Sequence, residues 1–436
     1  MKKKLSLVLS LVMALVLLLS AAVSAAEPVK IDGISDRGIK LKKAKLNSSA
    51  EEMIKNGDGY SPTTGRKLKK IKVPDGFTGT AATGVYQPVM VQISNAGNGV
   101  GVSGNGKLYT TAPINGSYAD VVYECIQKKG GGESRMTMIF SDTIPDYVGF
   151  VRSTRLTHTY LRQEWDCAFL TSGYSNADVP SAWKQFGVKE PASPDRTAED
   201  PGLVYVGDYA KVWSKYVYRL AGRQGANSEL FMAADIVENI VPKDHVPANH
   251  TWLFSKKLPE GGDSGKNIYV IYGNKAESDS RLEYDPNLNA YIRYVTVAKN
   301  QEAPYRDSRL ENPTFKREKD DEGNTTVKVQ GKRYEDQLIT FSNVIIQGIH
   351  MKWLGSDRPD PQLLGRGNAD YFMGGKHYAG VWRRTDWNSR TVFYGPNGKE
   401  IKLQPGRTLI ILMPYQESTQ GIDVIQESET CMVKYE

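Results

Sequence analysis

The sequence predicts an α+β protein, with a mixed α/β N-terminal domain followed by a β-rich C-terminal domain with antiparallel strands. Strand-like and helix-like segments alternate up to about residue 241, and β patterns separated by turns dominate after residue 337. The composition is that of a folding chain: of 436 residues, 40% are hydrophobic and 24% charged, with 41 Gly and 21 Pro, which excludes collagen-like and low-complexity classes. The length accommodates two or three domains, each able to bury a core without disulfide staples.

Residues 1 to 25 read as an export signal. Lys2, Lys3 and Lys4 precede an apolar run from Leu5 to Leu19, and the small residues Val23-Ser24-Ala25 mark a cleavage point. No later segment has the length of a membrane span, so no transmembrane span is expected in the mature chain, which is expected to act secreted or envelope-associated, outside the cytoplasmic membrane. No Cys stands near the cleavage point to accept a lipid.

Residues 26 to 85 form a polar, basic, Gly-containing leader, expected to be flexible, with turns at Gly57-Asp58-Gly59 and Pro74-Asp75-Gly76. The formal charge of +7 includes the three Lys of the signal, leaving +4 after its removal. Residues 37 to 72 hold eleven Lys or Arg against Glu51, Glu52 and Asp58, a segment charge of +8, so the rest of the mature chain is mildly acidic. Such a block is either a tether to an anionic surface, such as lipid headgroups or wall polymer, or a solvated linker. Nucleic acid is not expected as a partner, because no basic run interleaved with aromatics occurs in the body of the chain.

The N-terminal domain is expected over 86 to 260. Tyr86 to Ser94, Arg135 to Ser141, Asp166 to Thr171 and Leu203 to Val206 suit strands; Leu156 to Glu164, Asp178 to Phe186 and Ser228 to Val241 suit helices. Residues 261 to 337 form a partly β connecting region. Within it, mixed charges around Pro304, Pro313 and Gly323 mark a solvated insertion or a long hairpin. The C-terminal domain, 338 to 416, carries strand signals at Leu338 to Met351, Ala369 to Met373, Tyr378 to Trp382, Thr391 to Tyr394, Lys399 to Leu403 and Thr408 to Met413. Gly374-Gly375, Pro396-Asn397-Gly398 and Pro405-Gly406 turn the chain between them, and residues 417 to 436 are a tail.

Catalytic signatures are weak. Gly262-Asp263-Ser264-Gly265 looks like a serine-protease nucleophile loop but lacks the accompanying His motif, and it reads as a turn. Ser181-Ala182-Trp183-Lys184 fits a Ser-x-x-Lys pattern without its partners, and Ser181 after Pro180 reads as a helix N-terminus. The five His (158, 245, 250, 350, 377) show no metal-ligand spacing, and neither metal nor cofactor is expected. Trp382 and Trp387 flank Arg383 to Asp386, a pattern that serves either sugar stacking or a buried strand face. Cys125, Cys167 and Cys431 are too few for a disulfide framework; buried thiols, or one bridge between Cys125 and Cys167, fit their apolar surroundings.

Ala119-Asp120-Val121-Val122-Tyr123-Glu124, Gly131-Gly132-Glu133-Ser134-Arg135 and Gly149-Phe150-Val151-Arg152-Ser153-Thr154-Arg155 follow one another in the N-terminal part. Asn343 to Gln347, Gly367 to Phe372, Gly380-Val381-Trp382, Asn397 to Ile401 and Pro405-Gly406 follow in the C-terminal part, and Pro62-Thr63-Thr64-Gly65 stands ahead of both. In this order the motifs resemble the YerB-like family of exported Gram-positive proteins, a family of unknown function, over roughly residues 61 to 414. Many relatives look like lipoproteins, and two family His are replaced here, within Phe169 to Ser175 and Val246 to Asn249.

The residues matching the family motifs include Glu124, Arg135, Arg152 and Arg155. A cleft presenting two or three Arg suits carboxylate or phosphate groups, which guanidinium forks bind two-pronged. Glu124 is open to two readings: a general acid or base, or a charge partner of Arg135 or Arg152. The leading expectation is therefore a non-catalytic binding or adaptor protein for an anionic cell-wall or membrane-surface component or a protein partner. The alternative is a hydrolase of wall polymer centred on Glu124, with Arg152 and Arg155 clamping the substrate.

Overall fold

The computed structural model describes residues 29–30, 37–44, 59–71, 77, 79–81, 86–95, 112–129, 134–174, 178–187, 204–206, 208–209, 212–213, 216–221, 228–239, 241–247, 251–272, 279–298, 301–319, 321, 325–355, 358–415, 417–418, 421–422 and 431–436. The expected export signal lies outside the described residues, as do His250 and residues 130 to 133.

Strands β1 (Val89–Asn95), β2 (Val121–Ile126) and β3 (Ser134–Phe140) are buried at every position. Such near-continuous burial is what a strand meets when both faces of its sheet are covered. Helix α1 (Leu156–Trp165) covers one face, where Thr157 Oγ1 lies 3.7 Å from Cys125 Sγ and the Trp165 indole donates to Tyr123 Oη at 3.1 Å. Strand β4 (Ala168–Thr171), helix α2 (Asp178–Gln185), strand β5 (Val204–Val206) and helix α3 (Ala233–Asn239) follow.

The opposite face is covered by a second sheet containing β6 (Asn267–Tyr272), β7 (Ser280–Asp285) and β8 (Ala290–Ala298), all antiparallel neighbours. Positions along β6 alternate between half-buried and buried, the period-two pattern of a sheet with one wet face. Tyr305 Oη sits 3.4 Å from Met136 Sδ across the junction. The order of layers is thus helix, main sheet, second sheet.

Strands β9 (Arg306–Lys319) and β10 (Thr325–Leu338) are the long hairpin expected in the charged segment. Its base is not solvated: Leu310 and Val329 pack with Ile114, Phe150, Leu220 and Leu230 in a satellite core. Next come β11 (Asn343–Leu354), β12 (Gly365–Met373), β13 (Lys376–Arg384), β14 (Thr408–Tyr415) and β15 (Cys431–Tyr435). The main sheet runs Asp263–Ser264, β13, β12, β11, β14, β2, β3, β1, β4, β5. Strand β14 lies parallel to both neighbours, with Thr408 opposite Asn343 on one side and Val121 on the other. Strands from both parts of the chain therefore form one mixed sheet, and the C-terminal strands are only partly antiparallel. The second sheet gains Val29–Lys30 and β15 at one edge and Gln301–Pro304 at the other.

Three local expectations are corrected. Ser228 to Val241 is not one helix: Glu229–Phe231 is a strand between Val217–Arg219 and Val148–Gly149, and only Ala233–Asn239 is helical. Leu230 and Phe231 are consecutive and both fully buried, which a strand between two layers allows and a one-faced helix does not. Leu338 to Met351 is broken at Ser342, because Thr340–Phe341 pairs with β8 in the second sheet while Asn343 onward enters the main sheet. Lys399 to Leu403 is extended only at Lys402–Leu403, which pairs parallel with Leu253–Phe254.

Described parts of the leader are tied to the body by long-range contacts. Arg37 donates to both oxygens of the buried Asp370, at 3.1 and 2.9 Å, and Lys42 N–H donates to Gly398 O at 2.8 Å. Ser61, Thr63 and Thr64 are buried, and Thr64 Oγ1 donates to Asp142 Oδ2 at 2.6 Å. Long-range partners of this kind leave no mark in local composition.

Candidate functional site

Two expected site residues are separated by strand register. On the antiparallel β2–β3 pair, Cys125 stands opposite Arg135 and Glu124 opposite Met136. Since side chains alternate across a sheet, Arg135 points to the α1 face and Glu124 to the second sheet. The cleft expected to hold Glu124 with Arg135, Arg152 and Arg155 is therefore not assembled.

Glu124 is 0% exposed and its oxygens are occupied. One nitrogen of Arg293, on β8, lies 3.2 Å from each oxygen; Asn95 Nδ2 donates at 3.0 Å and Ser134 Oγ at 2.8 Å. Arg293 also donates to Asn95 Oδ1 at 3.3 Å, closing a network, and its guanidinium lies 5.0 Å from the Tyr305 ring centre. Glu124 is thus a charge partner, but of Arg293 rather than Arg135 or Arg152. It fastens one sheet to the other. Arg293 escaped the sequence reading because nothing in Tyr291 to Tyr294 distinguishes an inward Arg from an ordinary strand cation.

Arg135 and Arg155 meet on the opposite face, at the N-terminal end of α1. Arg135 is buried and one of its guanidinium nitrogens donates to Ser153 O. The next segment is stitched to the main sheet: Arg152 N–H donates to Gln92 O at 2.9 Å, Ser172 N–H to Arg152 O at 3.1 Å, and Thr154 N–H to Gly173 O at 2.9 Å. Arg155 precedes the first turn of α1, and its N–H donates to His158 Nδ1 at 2.9 Å. That bond settles the tautomer, because an accepting Nδ1 leaves the ring proton on Nε2.

His158 is 1% exposed, and its Nε2 finds no partner. Burial, followed by the charges of Arg135 and Arg155, holds its pKa well below the usual histidine value, so the ring is neutral and a donor. The head of α1 therefore joins two guanidinium groups, an unused buried N–H and the positive end of a helix dipole, while Arg152 and Arg155 are half-buried. This arrangement attracts carboxylate or phosphate oxygens. His158 was overlooked as a site residue although its spacing, three residues after Arg155, matches that of a residue reaching back to the helix cap.

The remaining motifs carry no such constellation. Asp263–Ser264 is an exposed edge strand paired with β13, and Ser181 is an exposed residue within α2, which begins at Asp178 rather than at Ser181. Trp382 is core, its indole donating to Gly348 O at 2.7 Å. Trp387 packs on Tyr160 with ring centres 4.7 Å apart. His377 Nε2 lies 2.7 Å from Asp370 Oδ1, and among the described residues no group of three or more His, Cys, Asp or Glu could hold a metal ion. Cys125, Cys167 and Cys431 are free and buried. No helix among the described residues is long and apolar enough to cross a membrane.

Residues 77–206 match the N-terminal domain, and residues 268–410 the C-terminal domain, of a protein of unknown function, DUF3048. Glu124 falls in the first match and Arg293 in the second, so their ion pair joins the two. The crystal structure of the YerB protein from Bacillus subtilis is similar in fold, with 18% identity and a TM-score of 0.52 over 81% of this chain and 96% of that one. Comparison with curated proteins found no match.

Proposed function

The chain belongs to the YerB-like DUF3048 family, and on that footing we propose that it is an exported cell-envelope protein that binds an anionic wall component without turning it over. The observation carrying this reading is the unpartnered His158 Nε2–H, enclosed beside Arg135 and Arg155 at the head of α1. A buried donor left unused costs about 1–3 kcal/mol, which a ligand oxygen would recover. Arg152 and Arg155 supply the accessible charge. Export rests on Lys2 to Lys4, the apolar run Leu5 to Leu19 and the small residues ending at Ala25. Nothing in the placement of Glu124, enclosed and ion-paired, supports the hydrolase alternative.

Thermal unfolding of the full chain with teichoic polymer, muropeptides or inorganic phosphate tests the reading, with Arg152→Ala and His158→Phe alongside. A ligand at 100 times its Kd adds about 2.7 kcal/mol to stability. A shift present in the parent and lost in both folded variants is expected. Equal shifts in all three proteins, or none with any ligand, would remove the site. Export is checked separately by the N-terminus of the secreted product, expected at Ala26.

A further inference from the structure

The β9–β10 hairpin leaves one edge of its ribbon open. The edge on β10 is taken up at Val329, which bridges to Leu220 and whose carbonyl accepts from Ala221 N–H at 2.8 Å. Strand β9 is bridged by Ile114 at Ser308, and beyond that point no strand among the described residues pairs with its outer side. Asn312, at φ +45°, and a register shift between Glu311 and Thr314 interrupt the strand, so the regular open run is residues 314–319. Such an edge presents backbone donors and acceptors that another strand can use.

The two faces of this run differ. Phe315 and Arg317 turn to the body: the Phe315 ring centre lies 5.0 Å from that of Tyr218 and 5.5 Å from that of Tyr147. Arg317 donates to Val217 O at 2.9 Å, its guanidinium 5.3 Å from the Tyr218 ring centre. Lys316 and Glu318, at the alternate positions, are exposed on the outer face, and neither forms a salt bridge among the described residues. Lys316 stands opposite the exposed Lys328 of β10, and Glu318 opposite Thr326. Like charges directly opposite one another are unfavourable, a repulsion that a carboxylate brought beside Lys316 would relieve.

We propose that two copies of this chain associate through this edge, antiparallel about a two-fold axis at Arg317, so that the two hairpins join into one four-stranded sheet. That register sets Lys316 of each copy opposite Glu318 of the other, and the symmetry makes the pairing reciprocal. An axis at Lys316 or at Glu318 sets like charges against each other on the outer face instead. Arg317 faces its own counterpart, but on the inner side, where each guanidinium is turned to Val217 and Tyr218 of its own chain. Charges of a single sign along an edge keep other strands away. Here both signs occur two residues apart, a pattern complementary to itself.

The test is sedimentation velocity of the full chain across a concentration series. The parent is expected to show a monomer–dimer equilibrium that weakens as salt is raised, because exposed charge pairs are screened. Lys316→Glu sets Glu against Glu, and Glu318→Lys sets Lys against Lys, so each alone should weaken the dimer at least tenfold. Lys316→Glu combined with Glu318→Lys should restore it, and an equimolar mixture of the two single variants should form mixed dimers. Both side chains are exposed, and unfolding midpoints equal to the parent's would show that the variants are folded. A parent that stays monomeric at every concentration, a dimer indifferent to the single reversals, or an exchange variant that stays monomeric each overturns the proposal. Arg152→Ala should leave the association unchanged, so failure here and failure at the α1 cluster are distinguishable.

Discussion

Arg293 bridges the two sheets by placing one guanidinium nitrogen 3.2 Å from both oxygens of Glu124, with neither side chain reaching solvent. Removing one partner strands a buried charge, so Glu124→Gln and Arg293→Met should each destabilise the fold by about 3–5 kcal/mol. The double variant should cost at least about 1 kcal/mol less than the sum, because the residues share one network. Urea unfolding of the four proteins measures this; additive losses would show that the pair is not coupled.

Arg37 and Asp370 make the corresponding contact between the leader and the C-terminal strands, with His377 and Asn368 also on the carboxylate. Arg37→Ala should cost about 3 kcal/mol by exposing Asp370 to burial without its guanidinium. It should also free residues 37–44, so trypsin should cut after Lys42 and Lys43 sooner than in the parent. An unchanged digestion pattern would mean that other contacts hold the strap.

Asp120 accepts from Ser141 N–H at 2.8 Å, Ser141 Oγ at 2.9 Å and Asp142 N–H at 2.7 Å. Burial first, then the neighbouring Asp142 charge, raises its pKa from 3.8 to about 7. The folded chain therefore keeps a proton that the unfolded chain releases near pH 4, and stability falls as pH rises from about 4 to about 7. Asp120→Asn removes that loss. Relative to the parent, the variant should gain up to a few kcal/mol between pH 4.5 and pH 8, read from denaturant midpoints. A pH-independent difference would place the folded-state carboxyl in the ordinary range.

Burial, before any other influence, pushes the thiols of Cys125, Cys167 and Cys431 up to about 12. Thiolate is the reactive form, so none should react with an aromatic disulfide reagent in the native protein at pH 8. All three should react after unfolding in guanidinium. Rapid native labelling of one thiol would identify a local opening at that cysteine.

Much of the main sheet was legible because its strands are short apolar runs bounded by Gly, Pro and Asn turns. Val89–Asn95, Ser134–Phe140 and Ala168–Thr171 all lie close to where their patterns suggest, as does the helix Leu156–Trp165. The failures share a cause. Leu230-Phe231, Ser342 and the Arg37 strap are decided by partners about fifty to more than three hundred residues away, and a local window cannot contain them.

The candidate site divides in the same way. The sequence by itself determined the family, and it singled out Glu124, Arg135, Arg152 and Arg155 because they stand in recognisable motifs. Only the tertiary structure decided which of them work together. Alternation along β2 and β3 sends Glu124 and Arg135 to opposite faces, and the packing of the second sheet then supplies Arg293 to Glu124 while α1 brings His158 to Arg135 and Arg155. Residue type follows from local chemistry, but which charges meet follows from register and layer packing, and those are settled by the whole chain at once.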